Sequence, residues 1–283
     1  MAEMIKKNDL ARVREVEFTE MFTGSLKTLL EALGVTRKIA KQAGTTLKMY
    51  KATGTLESGE VAEGATIPLS HYTVEPVAYK EITLLKWRKA TTAEAIIERG
   101  YDQAVTMTTD KMLADTQKVV RQNMFAAMAE GTGKATGTTV QAVLAQAWGQ
   151  LQVLFEDDEI ESVFFMNPLD AADYLATAQI TMQTAFGMNY VKDFLGLGTM
   201  FFNSSVPKGK IYATAADNLV LYYVPVNGAD LNEVFAFTAD ETGYIGIHEE
   251  PDYTNMTATD TVINGMELFA ERIDGVVVGT LGE

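Results

Sequence analysis

The sequence predicts an α+β fold, and three observations lead to that class. Helix-like and strand-like segments are mixed without the regular alternation of a doubly wound sheet. One long apolar periodicity of helical spacing begins at a T-x-x-E pattern, Thr91 and Glu94, which is a capping box. A glycine-rich acidic stretch, GTLESGEVAEGATIPLSH at residues 54–71, separates two segments that read as strands.

Length and composition set the frame. The 283 residues are 47% hydrophobic and 22% charged, enough apolar material for a sizeable core. No apolar run approaches the ~18 residues of a membrane span, and the start, MAEMIKKNDLARVREVE, lacks the apolar stretch of a secretory signal. With no cysteine, disulfides and thiolate chemistry are excluded. The net charge is −15, and residues 1–41 carry +2 of it, so the remainder carries −17. Such a surface repels nucleic acid and argues against direct DNA reading, while leaving room for enclosing DNA without adhering to it.

The elements follow in order. Residues 1–33, with apolar Val13, Val16, Phe18, Met21 and Phe22 among charges, read as an extended or partly helical arm. A short helix over 25–33 follows, with Gly34 as its stop. TLKMYKA (46–52) and YTVEPVAYKEITLLKWRK (72–89) read as the strands of a long hairpin around the acidic loop. The periodic segment from Thr91 to Gly131 predicts one helix of 39 residues, a rod of about 58 Å, with bends expected at Gly100 and at 106–109. GTGKATGTT reads as a flexible linker, and a second helix is expected over 140–155. ESVFFMNP predicts a buried strand and LDAADYLATA a short helix. Strands are expected at TMFFNSS, KIYATA and NLVLYYVPV, and a strand-rich tail holds NEVFAFTAD, TGYIGIHEE and TVINGMELFAERIDGVVVGTL.

The candidate chemistries are weak. GTGKATGTT is no phosphate loop: Lys134 precedes Ala135, Met128 holds the first glycine position, and a helix leads into it. The acidic run Glu156, Asp157, Asp158, Glu159 and Glu161 lacks EF-hand spacing and reads as solvated. His71 and His248 stand far apart and read as surface or structural residues. Asp170 with Asp173, or Glu249 and Glu250 with Asp252, are possible carboxylate pairs for hydrolysis. Helix capping accounts for the first pair. The methionines read as packing residues.

The order of parts resembles the major capsid protein of tailed bacteriophages, the Hong Kong 97 type. VAEGATIPLSHYTVEPVAYKEI looks like that family's E-loop and return strand, and VFFMNPLDAADYL is similar to its A-domain opening. FLGLGTMFFNSSVPKGKIYA resembles its glycine turn and following strands, and NGMELFAERIDGVVV its closing P-domain strands. The resemblance implies an N-arm at 1–41, an E-loop hairpin at 42–89 and a P-domain with spine helix at 90–150. It implies an A-domain at 151–228, and the A-domain remainder with return P-domain strands at 229–283. It further implies a non-enzymatic structural subunit with no catalytic, cofactor or metal site. Copies of the chain would form hexamers and pentamers of an icosahedral capsid around double-stranded DNA. The expected partners are other copies, a separate scaffolding protein, a portal and, by proximity alone, the DNA; no membrane is involved. The expected location is the virion capsid, assembled in the host bacterial cytoplasm. No covalent cross-link is expected from Lys48 or Lys51. The alternatives are an encapsulin-like nanocompartment shell and a carboxylate-dependent hydrolase.

A hairpin that outreaches its own core leaves edge groups unpaired. Laid on a neighbouring copy, Glu57, Glu60 and Glu63 would face basic groups, with Arg99, Lys111 and Arg121 as candidates. Gly54, Gly59 and Gly64 are the candidate hinges.

Overall fold

The computed structural model describes residues 7–156, 159–172 and 181–282. Residues 1–6 of the expected arm, Asp157, Asp158, Asp173 and most of the expected LDAADYLATA helix lie outside the described residues, as do the side chains of Val13 and Lys51.

The first element corrects the expected arm. Helix α1 runs Lys7–Leu33 without interruption. Phe18, Phe22, Leu26, Leu29, Leu30 and Leu33 recur at helical spacing and are all buried. Burying each contributes about 1.5–3 kcal/mol, so this segment is part of the core. Gly34 ends it as expected: at φ +70 it lets its own N–H reach Glu31 O (3.3 Å) and that of Val35 reach Leu30 O (2.9 Å), a Schellman closure.

Strand β1 (Lys38–Ala40) leads to the hairpin, β2 (Thr46–Thr55) and β3 (His71–Glu81), which pair antiparallel as expected. Strand β4 (Leu85–Thr92) follows, and then helix α2 (Ala93–Arg99). The expected single rod is broken here. Gly100 takes φ +80, residues Asp102–Thr106 form a π-helical turn, and α3 runs Met107–Ala129. The expected bends are real, but they divide the helix, leaving α3 about 35 Å long. The cap is Thr92, whose hydroxyl accepts from Ala95 N at 3.3 Å. Thr91 is not the cap; it is a buried residue of β4.

The expected linker is also corrected. Gly133–Gly137 is strand β5, and helix α4 (Val140–Leu154) follows from a Thr139 cap. Strands β6 (Ser162–Met166), β7 (Gln183–Ala185), β8 (Met188–Phe194), β9 (Gly198–Phe202), β10 (Lys210–Ala215) and β11 (Leu219–Tyr223) come next. The strand-rich tail opens with little strand at NEVFAFTAD. Helix α5 (Ala229–Val234) covers its start, and only Thr238–Ala239 forms β12. The chain closes with β13 (Ile245–Asp252), β14 (Thr257–Asn264), β15 (Met266–Ala270) and β16 (Val276–Leu281).

The largest sheet has the order β5-β16-β10-β6-β9-β8-β7. It is covered on both faces, which is why β6 reads as a continuous apolar run. Val163 and Phe165 pack with the core residues of α1 and α3, while Phe164 and Met166 pack with those of α4. A second sheet has the order β12-β13-β14-β4, a third β1-β11-β15, and the hairpin β2-β3 stands as its own two-stranded sheet.

Candidate assembly surface

The hairpin divides into an anchored root and a free distal part. At the root, Leu47, Met49 and Ile82 are buried with Val220, Phe269 and Ile273. Tyr50 N donates to Glu271 O at 3.0 Å, and Lys80 Nζ lies 2.9 Å from the buried Glu267 carboxylate. The Glu271 side chain is held in turn by Arg37, at 2.6 and 3.0 Å, and by the Tyr222 hydroxyl. Burial pushes the Glu271 carboxyl up, and the Arg37 and Tyr222 hydrogen bonds outweigh it, so the group sits below the usual glutamate range.

Beyond the root, residues 53–60 are exposed without exception. The ladder pairs Tyr50 with Pro76 and Gly54 with Tyr72. Because side chains alternate, Tyr50, Tyr72, Val74 and Pro76 share one face, and Thr53, Thr55, His71, Thr73 and Glu75 share the other. Tyr72 and Val74 are 63% and 64% exposed, so the apolar face has no cover among the described residues. The loop adds Leu56, Ile67 and Leu69, each more than 70% exposed. A two-stranded ribbon with a bare apolar face is marginal in water.

Glu57, Glu60 and Glu63 all lie exposed on this loop. Gly64 has φ +82 in a turn closed by Ala65 N to Ala62 O, 2.9 Å, and Gly59 stands in open space. Gly54 serves a different purpose from the expected hinge. It lies within the ladder, and its missing side chain makes room for the Tyr72 ring.

The three basic candidates part company. Arg99 is exposed in the last turn of α2. Lys111 is exposed and paired with Asp115 one turn on. Arg121 is half-buried: its guanidinium donates to the Phe186 carbonyl and stacks 5.9 Å from that ring. Burial lowers its pKa from the ordinary arginine value. Arg121 therefore serves its own chain, fixing the tight turn where Phe186 (φ 49) and Gly187 (φ 71) both sit in the left-handed region.

The helix bend is fixed by a residue that sequence reasoning missed. Lys89 Nζ reaches Val105 O (3.0 Å), Thr108 Oγ1 (2.6 Å), Thr109 Oγ1 (2.6 Å) and Asp260 Oδ2 (3.0 Å). Val105 lies within the π turn, so the ammonium occupies the place where the helical ladder is disturbed. Burial lowers the Lys89 pKa, and Asp260 opposes the shift.

The remaining carboxylates have structural work. Asp170 accepts from Gly209 N at 2.7 Å. Glu249 pairs with Arg14, and Asp252 accepts from Thr254 N at 2.8 Å. His248 lies 3.9 Å from Glu15 and 3.9 Å from Glu250, and His71 is exposed on β3. Among the described residues no group of three or more acidic or histidine side chains is placed to hold a metal. No described helix is long and apolar enough to cross a membrane.

No family model matches the sequence, and no curated protein does. Solved structures do match in three dimensions. The virus-like particle of Pyrococcus furiosus aligns over 93% of this chain and 97% of its own, with TM-score 0.53 at 13% identity. The capsid of cyanophage P-SCSP1u aligns over 88% and 86%, with TM-score 0.55 at 8% identity. The capsid of the native GTA particle aligns over 90% and 91%, with TM-score 0.55 at 9% identity. The chain has the Hong Kong 97 type capsid fold. That capsid fold spans nearly the whole chain, so the hairpin, the bent helix and the covered sheet are parts of one architecture. At 8–13% identity the capsid fold is carried by the placement of apolar residues, which many side chains satisfy.

Proposed function

We propose that this protein is the structural subunit of a closed shell. Its copies assemble into hexamers and pentamers of an icosahedral viral capsid that encloses double-stranded DNA. The observation that carries the reading is the hairpin: a firmly anchored ribbon whose distal apolar face and loop find no cover among the described residues. On a neighbouring copy that face is buried, which supplies the free energy the isolated ribbon lacks.

In this reading the hairpin is the E-loop, and its tip glutamates face Arg99 and Lys111 of the next copy. Each exposed ion pair is worth about 0–1 kcal/mol, so single contacts stay reversible and closure of the lattice multiplies them. Arg121, engaged inside its own chain, has no part in that pairing. Gly59 and Gly64 are the points at which the tip adjusts, while the buried root sets the aim. The net charge of −15 keeps the wall from adhering to packaged DNA. A separate scaffolding protein and a portal complete the assembly, which takes place in the bacterial cytoplasm and ends in the virion.

Purified protein examined by sedimentation and negative-stain microscopy tests the reading. Closed shells that carry DNA support it. Shells filled with protein cargo and lacking DNA favour the nanocompartment role. A compact monomer under every assembly condition overturns both.

A further inference from the structure

We infer that the outer edge of β4 is the acceptor for the acidic loop of a second copy, which adds to it as a further strand. The inference rests on the proposed shell reading and names the surface that reading leaves open.

Four observations converge. First, β4 ends its sheet and is, at 8 residues, longer than the edge strands β12, β5, β7, β1 and β15. Among the described residues, no backbone hydrogen bond beyond the ladder to β14 reaches residues 85–91. An uncovered edge of that length is a template for pairing with another chain. The edge of β5 shows the contrast: Gln146 accepts from Thr136 N at 3.1 Å and Gln150 donates to Lys134 O, so α4 closes it.

Second, the exposed face of β4 is basic. Lys86 and Arg88 are exposed and make no ion pair among the described residues, whereas Lys89 on the other face is paired with Asp260. The exposed face continues into a groove of about 570 Å³ between β4 and the helix bend. Its lining carries one charged side chain, Arg99, and no carboxylate.

Third, the loop at 56–70 has the opposite charge. It carries Glu57, Glu60 and Glu63 and no Lys or Arg. Among the described residues its one backbone-to-backbone hydrogen bond is the Ala65–Ala62 turn. The arm before that turn, residues 56–62, is free of proline and can donate to a ladder; Pro68 disfavours the returning arm.

Fourth, the loop does not pair with its own β4: among the described residues the ribbon stands as a separate two-stranded sheet and β4 pairs with β14 alone. A ten-residue ribbon holds the loop about 33 Å from the root, and β4 begins four positions after the end of β3. The acidic loop of a second copy matches that open basic edge in charge and is the occupant we assign to it.

A charge exchange tests this. In K86E/R88E the acceptor becomes acidic, and in E57K/E60K/E63K the loop becomes basic. Every substituted side chain is exposed, so the fold is retained, and circular dichroism checks it. Each variant alone lowers shell yield about tenfold, and the fivefold-substituted protein recovers it. In assembled wild-type shells, hydrogen exchange at residues 85–91 slows relative to unassembled subunits. Wild-type shells with unchanged yield in K86E/R88E, or with no slowing at residues 85–91, overturn the β4 assignment and leave the shell reading standing. Failure of the wild type to form shells overturns the shell reading and this inference with it.

Discussion

The ring of Tyr72 lies across Gly54, its ladder partner, so closely that a Cβ on residue 54 would stand 2.1 Å from Tyr72 Cδ1. Residue 54 is thus part of the apolar face of the ribbon, and its smallness is what lets the tyrosine lie flat. Gly54→Val displaces that ring. The body of the molecule is untouched, so the melting temperature stays within error of wild type. Shell yield measured by sedimentation falls about tenfold, the scale of a poorly fitting contact.

The root of the ribbon responds to acid. The folded-state pKa of Glu271 lies below its ordinary value of 4.5. Its contribution to stability is therefore complete above pH 4.5 and is lost as pH falls through the folded value. In urea titrations the gap between wild type and Glu271→Gln is constant above pH 5 and narrows below about pH 4.5. A gap that widens on acidification contradicts this account of the root.

Lys89 and Asp260 form a pair whose carboxylate is 2% exposed. Lys89→Met leaves that carboxylate without its cation and costs about 3 kcal/mol in urea unfolding. Adding Asp260→Asn removes the stranded charge and restores more than half of the loss. A fully additive double variant would show that the two residues act independently.

Helix α1 belongs to the subunit core, and one truncation distinguishes that from an arm awaiting a neighbour. Phe22 is fully buried and meets Phe186 edge-on with ring centroids 5.4 Å apart. Phe22→Ala costs about 3–5 kcal/mol in the unassembled subunit. An arm that docks only in the shell would leave the stability of the free subunit unchanged.

These elements show what the sequence makes legible. The hairpin is readable because branched and aromatic residues flank a loop that has nothing to bury. Helix α1 is readable in principle from Phe18, Phe22 and Leu26 at intervals of four, but Val16 and Met21, which are exposed, blur the stripe. Strand β5 is not readable. Its glycines look like a linker, yet Gly131 just before the strand and Gly133 at its start are small because Val276 and Val277 pack where a Cβ would stand 2.7 and 2.8 Å away. The acidic tip of the candidate surface follows from composition, and its apolar face from Tyr72, Val74 and Pro76 in alternation. The open edge of β4 depends on strand order, and the inward turn of Arg121 depends on where Phe186 arrives from 65 residues away. Both are products of tertiary packing that no local pattern contains.

Sedimentation velocity on a variant with residues 56–70 replaced by a two-residue Asn-Gly turn tests the docking of the ribbon most directly. The predicted result is a folded subunit with wild-type melting temperature that sediments as a monomer under conditions where the full chain forms closed shells. Closed shells from the shortened chain, at the yield of the full one, would contradict the account.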